Sequence, residues 1–300
     1  MSANHQSNAL FRSRLVWVGD YRCRPRDHGC CGEEHSDEDD IAFVRRGTFL
    51  KHVGRSEFCA DANHVIFFNH HEPYRVSHPV DGGDDCTVIS LDRDLLRSMV
   101  AHIDAADGDP TRKLHRFAVG PCAPTLFLAQ SQLFRRMKRG RCMDLAVEEE
   151  AIALVEAAIA SAYRIRGLRT GPKKGSSRRA HADWATAAKL VLAARFAESL
   201  SLDELATAVH VSPYHLCRVF RQQTGLSIRT YRQQLRQRAA LQRLAETNDD
   251  LTRIALGLGF TDHSHFTHCF SSAFGISPSA FRRSAAMPLI REMSKNLQVG

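Results

Sequence analysis

Two sets of side chains late in the sequence have the types and spacing to bond the edges of nucleic-acid bases. The first is Tyr214, Cys217, Arg218 and Arg221; a shift of 50 residues gives Ser264, Thr267, His268 and Ser271, with His263 beside them. Steps of three and four place each set on one face of a helix. A guanidinium on such a face can bond O6 and N7 of guanine together, so Arg218 is the first candidate for reading a base. His268 falls at the place of Arg218, which makes the charge of the second set depend on pH. Ser212, Arg282 and Arg283 suit phosphate oxygens, which position a protein on a duplex without specifying sequence.

Such faces need rigid helices behind them, and an internal duplication supplies these. At a spacing of 49 residues Ala206, Val209 and Val211 match Ala255, Leu258 and Phe260. At 50 residues Leu216, Phe220, Gly225, Ser227, Tyr231 and Arg232 match Phe266, Phe270, Gly275, Ser277, Phe281 and Arg282. In the first copy Leu202, Leu205, Ala206 and Val209 form one helical face. Ser212 then serves as N-cap, with Pro213 at the first helical position. The following helix buries Leu216, Val219 and Phe220 and stops at Gly225. Two short helices around a tight turn, the second amphipathic, make a helix-turn-helix unit. The second copy repeats it with Ile254, Ala255 and Leu258, then Phe266, Cys269, Phe270 and Phe274; Ser277-Pro278 begins a last short helix. Ile228 to Thr247 reads as a long connecting helix bearing Arg229, Arg232, Arg236, Arg238 and Arg243. Two recognition helices on one rigid body can enter successive major-groove faces, about 34 Å apart.

The stretch Ser201 to Arg283 resembles the AraC/XylS family DNA-binding domain. The most specific run is Ala255-Leu-Gly-Leu-Gly-Phe-Thr-Asp-His-Ser-His-Phe266, continuing to Phe274-Gly-Ile-Ser-Pro278. The resemblance implies that the two outward sets read bases. It also marks two departures: Cys217 stands where a longer polar side chain is usual, and His268 where a base is frequent. Less specifically, Gly47–Leu91 with the two helices after it resembles the cupin-like sensor domain that many members carry upstream. The partners implied are double-stranded DNA, a small-molecule effector, a second copy of the chain and RNA polymerase.

That upstream half has two textures. Ile41–Arg45, Thr48–His52, Val65–Phe68, Tyr74–Ser77 and Thr87–Leu91 read as short strands between turn residues, which suggests a small antiparallel barrel or sandwich. From Pro124 to Tyr163 the period is helical: Leu126, Ala129, Leu133, Phe134 and Met137 line one helix, and Leu145, Ile152, Val155, Ile159 and Ala162 another. Their apolar faces need a partner, either the barrel or a second subunit. Inward-facing candidates for an effector pocket are Arg46, His52, His71, Tyr74 and Arg75, a set suited to a polar or anionic ligand. The expected organisation is a cupin-like barrel plus helices for sensing and dimerisation over 1–163, a basic linker over 164–181, an all-α DNA-binding domain of seven helices over 182–285, and a tail over 286–300. The linker holds seven bases between Arg164 and His181 with no acid, and Gly175-Ser-Ser177 is expected to break regular structure. It is either a solvated spacer or a further phosphate contact.

Cys23, His28, Cys30, Cys31 and His35 invite a metal reading, but the spacing C-x6-C-C is not that of paired zinc ligands. Structural, metal-binding and thiol-sensing roles stay open for them; neighbouring acids from Glu33 to Asp40 tend to raise a thiol pKa. Cys59, Cys86, Cys122 and Cys142 are expected in the core. A cupin-type enzyme needs His-x-His, and after His52 the second histidine position is Gly54; His64, His70, His71 and His78 do not restore the spacing. No cofactor, metal or catalytic residue is assigned. A regulator without effector is the other alternative.

Composition agrees. The 300 residues suit two domains, and 43% hydrophobic with 25% charged residues excludes disorder throughout. A net charge of +8 and a pI near 9.2 favour an anionic partner. No uninterrupted apolar run approaches about 18 residues. Met1 to Asp20 lacks the layout of a signal peptide. Nine irregularly spaced cysteines read as reduced thiols, so a cytoplasmic location is expected.

Overall fold

A computed structural model describes residues 4–25, 31–103, 113–140, 144–167 and 175–283. The chain divides into two units, one built mainly from residues 1–169 and one from 170–282.

The first unit is antiparallel throughout its ladders. Its strands are β1 (Asn4–Arg12), β2 (Val16–Arg24), β3 (Asp40–Val53), β4 (Ser56–Asp61), β5 (His64–Phe67), β6 (Arg75–Ser77), β7 (Asp84–Leu91) and β8 (Val119–Pro121). One sheet runs in the order β1-β2-β7-β3-β5-β8, while β4 and β6 flank the far half of β3. The two strands expected at Ile41–Arg45 and Thr48–His52 are therefore one long strand that changes partners. Asp40 to Gly47 pairs with β7; Thr48 to Val53 pairs with β4. Gly47 makes the corner without ending the strand. Its φ is +85°, and a Cβ there would lie 1.9 Å from the Gly83 carbonyl oxygen, so no other residue fits. β1, β2, β4 and β8 had no counterpart in the sequence reading. β1 is rich in Asn, His, Gln and Ser, and its alternation is hidden by polar residues on an exposed strand.

Among the described residues this unit also has three helices: α1 (Arg93–Ile103), α2 (Pro124–Lys138) and α3 (Asp144–Gly167). Leu126, Ala129 and Leu133 of α2 and Val155, Ile159 and Ala162 of α3 are buried as expected, whereas Leu145 is exposed. α3 packs on β8, β2 and β7, and α2 packs on α3 and β3. The sheet is thus the partner for these apolar faces.

Among the described residues the second unit holds seven helices: α4 (Gly175–Arg195), α5 (Leu202–Ala208), α6 (Pro213–Thr224), α7 (Ile228–Glu246), α8 (Leu251–Gly257), α9 (His263–Phe274) and α10 (Pro278–Arg283). Gly175-Ser-Ser177 opens α4 instead of breaking it, because serine is at ease in a first helical turn where backbone donors are unsatisfied. Arg164 likewise falls inside α3. Residues 168–174 and the tail from 284 lie outside the described residues. Ala188 and Leu192 of α4 share one core with Leu205, Ala206, Leu216, Phe220 and Tyr231. α4 is therefore part of this unit, and a cut at residue 182 would remove its first turns.

Candidate nucleic-acid interface

The duplicated residues occupy equivalent places. Leu216, Phe220 and Tyr231 are buried, and so are Phe266, Phe270 and Phe281. α5 starts with a capping box, in which the Ser201 hydroxyl accepts from Glu204 N and the Glu204 carboxylate accepts from Ser201 N. The Ser212 hydroxyl accepts from His215 N at 3.4 Å to begin α6, and Asp262 accepts from His265 N at 2.7 Å to begin α9. Gly225 and Gly275 end the two helices in left-handed conformation. Between the helices of each pair, Val211 N donates to Ala206 O and Phe260 N to Ala255 O, both at 3.0 Å. The left-handed turn position is Gly259 in the second helix-turn-helix pair but His210, at φ 56°, in the first pair. A side chain is strained there, so His210→Gly is expected to raise thermal stability by about 1 kcal/mol, measured by calorimetry. An unchanged or lower melting temperature would contradict it.

On α6 the four expected reading residues face water: Tyr214 is 81% exposed, and Cys217, Arg218 and Arg221 are exposed as well. On α9 His263, Ser264 and His268 are exposed. Thr267 and Ser271 are half-buried, and the Thr267 hydroxyl oxygen is shielded from solvent, which weakens its case as a base contact. The first face is the more complete of the two. Behind it His215 packs edge-on against Trp184 at 5.1 Å and His181 at 5.6 Å, both from α4. Arg218 Nη2 lies 3.5 Å from His215 Nδ1, so this ring cluster backs the reading arginine. Helical periodicity could not reveal that contact, because α4 lies outside the repeat.

Arg282 is not placed as a phosphate ligand would be. Its Nη2 donates to Asp249 O at 2.7 Å, just before the Asp250 cap of α8. Its repeat partner does the same, with Arg232 Nη1 donating to Leu200 O at 2.8 Å just before the Ser201 cap of α5. Both are clamps on the entry to a helix-turn-helix unit. Arg283 remains exposed, and Ser212, although it caps α6, keeps its hydroxyl proton for an acceptor.

Two further arginines of α7, Arg236 and Arg238, also turn inward, whereas Arg229 and Arg243 are exposed. Arg236 Nε donates to Phe196 O at 2.6 Å, Nη2 to Glu198 O at 3.0 Å and Nη1 to Gly259 O at 2.6 Å. The first two carbonyls lead into α5; the third lies in the turn between α8 and α9. One guanidinium thus ties the two helix-turn-helix units together. Gly259 permits the approach, since a Cβ there would sit 2.1 Å from Ala197 O and 2.7 Å from Arg236 Nη2. Arg238 is 1% exposed.

In the first unit the five pocket candidates do not converge. Arg46 is exposed and lies 3.8 Å from Asp85; Arg75 and His71 are exposed. His52 bonds Ser77 Oγ at 2.8 Å. Strand alternation sends its neighbour Lys51 inward instead, where Nζ donates to Phe67 O at 2.6 Å and sits 3.9 Å from the centre of the Phe68 ring. Lys51 is 1% exposed, and burial pushes its pKa down to about 8 against the pull of Glu72 and Asp40. A cleft of about 1010 Å³ opens elsewhere, between Arg12–Trp17, Glu33–Glu38, Asp40 and Ser90–Arg93; of the five candidates only Tyr74 lines it.

Among the described residues of the cysteine-histidine cluster, Cys23 and His35 fall in different groups of neighbouring donor atoms. Cys31 Sγ accepts from Val76 N at 3.0 Å, and His35 packs against His71. His28, Cys30 and Cys142 lie outside the described residues. Cys59, Cys86 and Cys122 are buried as expected. Burial, with Asp84 and Glu34 adding to it, pushes the Cys23 thiol up to about 12, which disfavours a reactive thiolate there.

Among the described residues no helix is long and apolar enough to cross a membrane. A helix-turn-helix domain family matches residues 205–284. The bifunctional transcriptional activator/DNA repair enzyme AdaA of Bacillus subtilis is 36% identical over 92 residues, 31% of this chain and 44% of that protein. The probable transcription factor PqrA of Proteus vulgaris is 31% identical over 91 residues, 30% of this chain and 75% of that protein. The chain spans less than half of AdaA and 34% of the Msm operon regulatory protein of Streptococcus mutans. Among solved structures, a transcriptional regulator with an AraC-type DNA-binding domain from Chromobacterium violaceum is 30% identical, with a TM-score of 0.33 over 38% of this chain and 99% of that one. ToxT of Vibrio cholerae is 12% identical, with a TM-score of 0.34 over 90% and 98% of the two chains.

Proposed function

The chain belongs to the AraC family of DNA-binding transcription regulators, and on that premise we propose that it reads a specific promoter sequence, activates transcription there and answers a small molecule or other signal through its first unit. The observation that carries the DNA-binding part is the pair of outward helix faces held on one body through Arg236. Tyr214, Cys217, Arg218 and Arg221 of α6 read one stretch of major groove; His263, Ser264 and His268 of α9 read the next. Ser212 and Arg283 bond phosphates, and Thr267 contributes by contact of its exposed side only. The chain acts by binding, without a reaction of its own, in the cytoplasm. Homodimerisation and contact with RNA polymerase complete the proposal for an activator.

The test compares Arg218→Ala and Arg283→Ala against a library of single-base variants of the binding site at two salt concentrations. Arg218→Ala is expected to cost about 1–3 kcal/mol and to flatten preference at one base pair. Arg283→Ala weakens all sequences alike and reduces the salt slope by roughly one unit. A uniform loss in Arg218→Ala would make that residue a phosphate contact and rotate the reading face. For the first unit, the cleft lined by Tyr74 is the place where a signal molecule of polar character fits. Tyr74→Ala is expected to abolish the response in a reporter while DNA affinity is kept; an unchanged dose response would remove the cleft from the proposal.

A further inference from the structure

We propose that Cys23, His78 and Asp84 form a binding site for a borderline-soft divalent cation, of which zinc is the type, in the first unit. Three residues from separate stretches of the sequence arrive at one place for reasons of register. Cys23 of β2 pairs directly with Asp84 of β7, so the two side chains share a face of the sheet; Cys86, two residues on, shares it too. That face is the interior one, since Cys86 packs with Val44, Phe49 and Ile66. His78 comes from the other side of the corner, one residue past β6. All four are buried, between 3% and 4% exposed.

The donor atoms are close enough for one ion. Cys23 Sγ, a ring nitrogen of His78 and a carboxylate oxygen of Asp84 all lie within 4.8 Å of one another. His78 Nε2 is 2.6 Å from Asp84 Oδ1, and Cys86 Sγ is 3.3 Å from Asp84 Oδ2. One sulfur, one imidazole and one carboxylate make the three-donor set of a tetrahedral zinc site whose fourth position is left to water, with Cys86 as an outer contact to the carboxylate; calcium and magnesium require more oxygens than are present. The strands that carry the donors are held beneath the site by Arg24, whose Nη1 donates to Cys23 O at 2.8 Å and to Asp84 O at 3.0 Å. Such outer contacts fix ligand orientation. On binding, the Cys23 thiol loses its proton to solvent, the neutral imidazole keeps its proton on Nδ1, and no electron is exchanged. The ion would staple β2 and β7 to the end of β6, across the corner that β3 makes at Gly47. The site stands on the geometry of the first unit alone and does not depend on the DNA-binding reading.

The test uses the full chain, reduced and stripped with a chelator, then titrated with Co²⁺ as a spectroscopic probe. The expected result is one Co²⁺ per chain, with tetrahedral bands in the visible, a thiolate charge-transfer band in the near ultraviolet, and loss of both on adding Zn²⁺. Cys23→Ser is expected to abolish the thiolate band and to weaken Co²⁺ binding by about tenfold or more, and His78→Gln to weaken it likewise. Cys59→Ser, on β4 outside the cluster, leaves it unchanged. Alkylation of the wild-type chain mapped by mass spectrometry gives a readout that needs no variant: Zn²⁺ is expected to shield Cys23. Absence of a thiolate band in the folded, reduced wild type overturns the proposal. So do a thiolate band and an affinity that Cys23→Ser retains, or alkylation of Cys23 indifferent to Zn²⁺.

Discussion

Arg236→Ala is expected to destabilise the second unit by about 3 kcal/mol and to weaken binding to a two-part DNA site far more than binding to either half alone. Three carbonyls, those of Phe196, Glu198 and Gly259, lose a charged donor at once. Bonds to a charged group contribute about 1.5–3 kcal/mol each, and losses within one network are not additive. The stability loss is a large share of the 5–15 kcal/mol or so typical of a domain. The affinity loss has a separate cause, since the two reading helices no longer hold a common register and the second must be ordered on the DNA. Arg236→Lys is expected to rescue little, because a single ammonium cannot serve three diverging acceptors as the planar fork does. Urea unfolding and titrations against whole and half sites measure both effects. A variant with wild-type stability and wild-type preference for the whole site would show that Arg236 does not couple the units. Gly259→Ala probes the same junction from the other side, through the clash with Ala197 O.

The second large effect lies in the first unit, at Asp20. This carboxylate is fully buried on β2, with Arg22 at 3.0 Å, Lys138 of α2 at 3.1 Å and Arg45 of β3 in direct contact. Burial works to raise its pKa, but the bonds and charges of Arg22, Arg45 and Lys138 outweigh burial and hold it below the usual carboxylate range. A group depressed in this way stabilises the fold above its unfolded pKa of about 3.9, and the contribution is lost as pH falls through the lower folded value. Asp20→Asn is expected to cost about 3–5 kcal/mol at neutral pH, because it leaves Arg45 buried and without its anion. Arg22 and Lys138 are some two-fifths exposed, and water compensates them. Arg45 is 9% exposed, with its guanidinium 3.6 Å from the centre of the Phe134 ring, and has no such recourse. The gap between wild type and variant narrows in acid as the wild-type carboxylate is protonated. Unfolding of the full chain at neutral pH and at about pH 3 measures it. Equal stability at neutral pH would sink the assignment.

What the sequence determined by itself is the grammar of the helices in the second unit. Ser212, Pro213 and Gly225 bound α6 as their chemistry requires, and the period of Leu216, Val219 and Phe220 decides which side faces water. These are interactions over three or four residues, so the order of the residues is enough. The duplication adds a check, since Phe220 and Phe270, or Gly225 and Gly275, must play one part twice.

Only the tertiary structure decided what the arginines of that unit do. Arg218 and Arg236 are the same chemical group on amphipathic helices. One faces solvent, and the other meets carbonyls 40 and 38 residues before it and 23 residues after it. Nothing local separates them; Arg282 was assigned to phosphate for the same reason. The β-rich unit shows the limit more plainly. A strand's partner and inward side are set by register with distant strands, so Lys51 rather than His52 points inside, and four of five pocket candidates miss the cleft. The same long-range pairing sets Cys23 beside His78 and Asp84, a neighbourhood that no local pattern in the sequence announces.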